Sequence, residues 1–168
     1  MIFDFRFREI DSTADIKKLI DFIRQQHLNY PDYHSWVQRA EAELYTEYKQ
    51  AVMAFSDRTL VGNVIYQPHK QIQGVLELKN LRVHPELRRR DFGHFMLRQA
   101  ETEARNSGRY SLMMIDTRAD QKDMLALLIF SGFREIGRTS LYDSGSEDVM
   151  LAKPLSRDGN LIQIASPQ

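Results

Sequence analysis

Three consecutive arginines, Arg88, Arg89 and Arg90, sit in VHPELRRRDFGHFML (residues 83–97), between a run with strand character and a run with helical character. A helix N-terminus presents unpaired N–H groups and the positive end of the helix dipole, so it attracts anions. Guanidinium groups match phosphate oxygens in two-point geometry. Gly93, just downstream, permits a close backbone approach. The stretch reads as a phosphate cradle or, equally, as a solvated basic turn. A second group centres on Glu77 in LELKNLRV (residues 76–83). Glu77 and Lys79 alternate with Leu76 and Leu78 and face away from them. If that face is covered, Glu77 has a raised pKa and suits a general base. If it is open, Glu77 is a strand carboxylate paired with a lysine. A third group is HLNYPDYHSWV (residues 27–37), which clusters Tyr30, Tyr33 and Trp36 with Asp32 and two histidines. These aromatics form a ligand wall, with Asp32 attracting a cationic amine, or they staple two helices together.

Several other chemistries find no residues. The chain has no cysteine, which removes disulfides, thiolate nucleophiles and thiolate metal sites and fits a reducing compartment. Its histidines are scattered, without carboxylates at ligand spacing, so no metal is expected. Neither GxSxG nor a Walker pattern occurs. Formal charge is zero over 168 residues. That argues against bulk-charge binding to nucleic acid or membrane. The N-terminus lacks a signal-peptide layout and no apolar run reaches membrane-spanning length. A cytoplasmic, soluble protein with one sizeable core is the expectation.

The elements that must position these groups follow from periodicity. Residues 2–10 alternate as a half-buried strand, and DSTADIKKLIDFIRQQHL switches to helical spacing, capped by Asp11, Ser12 or Thr13. Pro31 breaks that helix and a second follows from Trp36. QAVMAFSDRTLVGNVIYQPH reads as a hairpin, and GVLELKNLRVHP as a strand stopped by Pro85. FGHFMLRQAETEARNSG is the clearest helix. YSLMMIDT reads as a strand buried on both faces. A short helix ending at Gly132 and two closing strands complete the order β-α-α-β-β-β-α-β-α-β-β. One mixed, twisted α/β sheet with helices on both faces accommodates it.

The quoted stretches resemble the GNAT N-acetyltransferases. That family's acetyl-CoA-binding motif is a strand ending in V-x-P, then Q/R-x-x-G-x-G/A opening a helix. Val83 and Pro85 match the strand end, Arg88 the Q/R position and Gly93 the final small residue. DMLALLIFSGFREIG (residues 123–137) resembles the family's second recurring segment, with Gly132 and Phe133 as its Gly-Phe pair. The resemblance covers residues 1–155 and leaves 156–168 as a tail. It implies a single, mostly antiparallel sheet with a central, splayed parallel strand pair. It also implies acetyl-CoA as co-substrate and an amine acceptor. The backbone of Leu81 and Val83, with Arg82 between them, would meet the pantetheine arm. The segment Arg88, Arg89, Arg90, Asp91, Phe92, Gly93 and His94 would hold the pyrophosphate. Tyr30, Asp32 and Tyr33 would line the acceptor site, and Glu77 falls where one branch of the superfamily places its base.

Three residues depart from the pattern. Asp91 replaces the first glycine and Arg89 another common one. Asp91 is expected to cap the helix and compete with phosphate for its N–H groups. Leu128 replaces a tyrosine that often protonates the leaving thiolate; Tyr142 either reaches in from the closing strands as a substitute or, the reading favoured by its type, is a core or rim aromatic. These departures keep a second reading open: a non-catalytic module that binds CoA or a partner on the same fold. The apolar segment 161–165 suggests docking on a second subunit, a homodimer.

Overall fold

The computed structural model describes residues 4–26, 30–141 and 145–155. Among them are seven strands and four α-helices in the predicted order. β1 (Phe5–Glu9) leads into α1 (Thr13–Gln25). Ser12 caps α1, its hydroxyl accepting from Asp15 N at 3.2 Å, which settles the choice among three candidate caps. α2 (Tyr33–Tyr45) starts three residues before the predicted point. Asp32 turns the chain through a left-handed conformation, φ 58°, so the helix begins two residues after Pro31.

β2 (Gln50–Ser56) and β3 (Thr59–Pro68) form the hairpin, and β4 (Val75–Val83) is followed by a short 3-10 turn at Pro85–Leu87. α3 (Phe92–Ser107) stops at Gly108, whose φ of 65° suits glycine. β5 (Leu112–Arg118), α4 (Lys122–Phe130), β6 (Arg134–Thr139) and β7 (Asp148–Pro154) complete the chain. The strands form one sheet in the order β1-β2-β3-β4-β5-β7-β6. All neighbours are antiparallel except β4 and β5.

Each face of the sheet has its own core. Met96, Leu97, Ala100 and Ala104 of α3 pack with Val64, Leu76, Leu78 and Leu81 on one face. Ile16, Leu19, Ile20 and Ile23 of α1 and Val37 and Leu44 of α2 pack with Ala51, Met53 and Ile65 on the other. This is the apolar stripe predicted for α1, laid on the alternate residues of β2 and β3. β5 departs from the prediction. Met113, Ile115 and Thr117 are buried, while Leu112, Met114 and Asp116 are half-buried. Met114 and Asp116 border a cavity instead of a packed helix.

β4 and β5 pair in parallel only from Val75↔Leu112 to Leu78↔Ile115. Beyond Leu78 they part, which is the predicted splay. The proposed tail, including 161–165, lies outside the described residues, as do His27 and Tyr142.

Candidate functional site

An irregularity in β4 decides which side chains reach the site. Asn63 of β3 pairs with Arg82, and Ile65 pairs with Lys79. One residue of β3 therefore stands opposite two of β4, Asn80 and Leu81, and the strand bulges. Asn80 takes up the extra length in a left-handed conformation, φ 48°. Asparagine tolerates that region better than most residues. The fully buried Asn63 fixes the bulge, its Nδ2 donating to the Asn80 carbonyl at 2.7 Å. The bulge resets the alternation. Leu76, Leu78 and Leu81 all stay in the core beneath α3. Arg82 joins Glu77 and Lys79 on the opposite face; strict alternation from Leu78 would have sent it into the α3 core.

Arg82 thereby meets the connection between α1 and α2 across a cavity of about 480 Å³. Tyr30, Asp32, Tyr33 and Trp36 line it from that connection, Lys79, Leu81 and Arg82 from β4, and Ile115, Asp116, Thr117 and Arg118 from β5. The cavity lies where β4 and β5 part. The three residues read as an acceptor wall are thus brought together with the strand ends. Tyr33 has both roles read from the sequence. It is 4% exposed, and its hydroxyl donates to the Ile23 carbonyl at 2.7 Å, stapling α2 to α1. Its ring also stacks on Trp36, 6.0 Å between centroids, and borders the cavity. Burial pushes the Tyr33 and Tyr30 hydroxyls up from their ordinary values, so both stay protonated donors.

The charge on Arg82 is conspicuous. Its Nε and Nη2 are buried and have no hydrogen-bond partner. Burial lowers its pKa, and the groups acting on it are Tyr33, Tyr30 and the like-charged Arg88, none a carboxylate. On β5, Arg118 Nη2 reaches Asp120 at 2.5 Å, while its buried Nε has no partner.

Glu77 lies beside this cavity, in a smaller one of about 230 Å³ that it shares with His69, Lys79 and Asp116. It is half-buried. Lys79 Nζ approaches it at 2.8 Å and Gln67 Nε2 donates to it at 3.0 Å. The same ammonium reaches Asp116 at 3.2 Å. Lys79 and Asp116 border both cavities. The two alternatives for Glu77 therefore coexist: a covered carboxylate that is also paired with a lysine.

The basic turn is a different environment. Arg88, Arg89, Arg90 and Asp91 are exposed. Arg88 Nε folds back to the Val83 carbonyl at 3.3 Å, and Arg89 reaches the exposed Asp123 at 3.3 Å. Arg89 and Asp91 occupy left-handed conformations, φ 62° and 60°, at two positions where the resembled motif has glycine. Asp91 is the N-cap of α3 but makes no side-chain capping bond. The expected competition for the helix N–H groups is therefore corrected. A capping side chain reaches back to them from an extended backbone, and this backbone is left-handed. Gly93 has a packing role that the sequence reading missed. A Cβ there would stand 2.6 Å from Leu127 Cδ2, so the glycine lets α4 pack on α3. Phe92 is buried beside it, and His94 Nδ1 lies 3.0 Å from Ser131 Oγ, tying α3 to the end of α4. Leu128 is fully buried in the core and faces no site.

Among the described residues no group of three or more His, Cys, Asp or Glu is arranged to hold a metal. No described helix is long and apolar enough to cross a membrane. The residues that sequence reasoning missed are Asn63, Asn80, Asp116 and Arg118. Only Asn80 carried a signal, an asparagine interrupting an otherwise regular strand.

Comparison with known proteins agrees with this geometry. The chain is 28% identical over 106 residues to the tRNA(Met) cytidine acetyltransferase TmcA of Aeropyrum pernix; the match covers 61% of this chain and 14% of that protein. An acetyltransferase of the GNAT family from Streptococcus pneumoniae superposes with a TM-score of 0.76 at 15% identity, over 91% of this chain and 100% of its own. An aminoglycoside 6'-N-acetyltransferase complexed with coenzyme A superposes with a TM-score of 0.69 at 17% identity, over 92% and 99%. Residues 15–133 match the model of the acetyltransferase (GNAT) family, and the chain belongs to that family.

Proposed function

We propose that this protein transfers an acetyl group from acetyl-CoA to a primary amine by direct attack within a ternary complex. The observation that carries this reading is the cavity at the β4–β5 splay. One of its walls comes from the strand ends beside the basic turn and the other from the α1–α2 connection. Pantetheine enters along the free edge of β4 at Leu81 and Val83. Its pyrophosphate rests on the start of α3 and on the backbone of residues 88–94. The acceptor enters over Tyr30, Asp32 and Tyr33. Holding both reactants in one cavity supplies most of the acceleration.

The amine nitrogen attacks the thioester carbonyl, the C–N bond forms, and the C–S bond breaks. A backbone N–H near Val83 polarises the carbonyl oxygen. Glu77 takes the proton from the acceptor ammonium, directly or through water, with Lys79 shared between Glu77 and Asp116 as charge moves. The thiolate needs no positioned acid, since a thiol pKa of about 8–9 lets water protonate it. That suits a chain with Leu128 packed in the core.

Calorimetric titration of acetyl-CoA followed by thiol release with a panel of amines tests the reading. The cysteine-free chain contributes no thiol background. Binding and thiol release are expected. Saturable binding without release on any amine would favour the non-catalytic module. Glu77→Gln is expected to lower kcat by about 10²–10³ while leaving acetyl-CoA binding intact. The same loss in Asp116→Asn alone would move the base to Asp116.

A further inference from the structure

Among the described residues, Arg82 is a cation with no counter-charge. Its Nε and Nη2 are buried without a partner, and an arginine stays charged at any pH where the fold survives. A buried charge left uncompensated is costly, so such a group marks a place where an anion belongs. The rest of the wall supports the same sign. The buried Nε of Arg118 is also unpartnered, and Arg39, itself exposed, borders the cavity. Of the two carboxylates there, Asp116 is held by Lys79 at 3.2 Å, and Asp32 is exposed. The bulge at Asn80 is built to deliver Arg82 to this side, where it faces Tyr30, Tyr33 and Trp36 and not the helix start assigned to pyrophosphate.

We infer that the acceptor carries an anionic group, a carboxylate or a phosphate, beside its amine, and that Arg82 seats that anion. The inference rests on the acetyl-transfer reading and narrows its acceptor class. The cavity then offers opposite charges for a doubly charged substrate. The guanidinium grips the anion by two-point hydrogen bonding, while Asp32 on the α1–α2 connection and Asp116 on β5 border the same cavity and offer carboxylates to the ammonium. The Tyr30 hydroxyl, held protonated by burial, adds a neutral group to the same lining.

Matched acceptors that differ only in the anion test this. Initial rates of thiol release are compared for glycine and glycinamide, for L-phenylalanine and L-phenylalaninamide, and for O-phosphoethanolamine and ethanolamine. The first two pairs probe carboxylate and the third phosphate. The amides are the less basic amines, so chemistry alone favours them. At least one anionic member is expected to exceed its neutral twin in kcat/KM by about a hundredfold, the scale of one desolvated charge contact. In Arg82→Gln, shown by its melting curve to be folded, that ratio is expected to collapse toward one; Arg82→Lys recovers part of it. Neutral twins that match the anionic ones, or a ratio that persists in Arg82→Gln, would overturn the inference and leave acetyl transfer standing. If no amine is acetylated, calorimetry with N-acetyl-L-phenylalanine and its amide decides separately. A preference for the acid that Arg82→Gln abolishes would retain the anion seat and remove the transfer reading. Equal affinities would remove the anion seat.

Discussion

Two arginine groups only a few residues apart in the chain meet opposite fates. Arg88, Arg89 and Arg90 lie in an exposed turn, where water screens them and Asp123 and the Val83 carbonyl meet two of their side chains. Arg82, at the end of β4, is largely withdrawn from water and has no such partner. The exposed trio contributes through summed, salt-sensitive attraction, whereas one half-buried guanidinium, with its Nε and Nη2 withdrawn from water, dictates what must stand opposite it. The conspicuous feature of the sequence, three adjacent charges, is therefore the less selective part of the site.

A third arginine calibrates the contrast. Arg8 lies on the same face of the sheet and is answered by Asp15, with contacts of 2.6 and 2.9 Å. Asp15→Asn would make Arg8 a second arginine without its main counter-charge. Breaking a buried pair costs about 3–5 kcal/mol, but Arg8 is 38% exposed. A loss of about 2 kcal/mol, or about 4–8 °C in Tm, is expected by calorimetry at neutral pH. The hydrogen bonds from Arg8, chiefly, hold the Asp15 carboxyl well below its ordinary range. Its folded pKa is depressed, so its contribution is complete above the unfolded value of about 4 and fades as pH falls further. The gap in Tm between native and variant protein should hold from pH 7 to about 5 and shrink below about 4. A gap unchanged at pH 3 would mean that Asp15 acts by packing and not by charge.

Replacing Arg88, Arg89 and Arg90 together by alanine should weaken acetyl-CoA binding by about tenfold at low salt. Half a molar salt should remove most of that difference, because exposed charges are screened. A loss that salt does not touch would place these side chains in desolvated contact with the phosphates and break the contrast with Arg82.

Asp91→Gly should act in two ways at once. It relieves a left-handed aspartate, φ 60°, for about 0.5–1 kcal/mol of stability, offset in part by added chain entropy. It also removes a carboxylate from the helix start, so acetyl-CoA should bind about fivefold more tightly by calorimetric titration. Unchanged affinity would place the pyrophosphate away from Asp91.

The smallest effect discriminates best. Arg82→Leu removes a half-buried charge without a partner, so the ligand-free protein should gain about 2–4 °C in Tm. It would thus be more stable and less selective, as expected where a function is held at the expense of stability. A lower Tm would show that the aliphatic stem of Arg82 contributes more by packing than its charge costs.

Much of this protein is legible in its residues taken in order. The spacing of Ile16, Leu19, Ile20 and Ile23 is enough for α1, and that of Phe92, Met96 and Ala100 for α3, because one apolar stripe per helix can face only one layer. The element order, with strand–helix–strand units in its middle and hairpins elsewhere, implies a mixed sheet, and of those units only β4-α3-β5 became a parallel pair. The aromatic cluster before α2 and the basic turn before α3 also stand out locally. What the sequence left open is how side chains are shared between environments. Whether Glu77 is covered or paired depends on Lys79, Gln67 and Asp116 from three strands. Whether Gly93 serves a ligand or a neighbour depends on Leu127, thirty-four positions away in the chain. The face Arg82 occupies depends on a one-residue bulge held by Asn63 from the next strand. Strand alternation is a local rule, and a bulge is a contract between two strands, so only the assembled sheet could turn Arg82 toward the site.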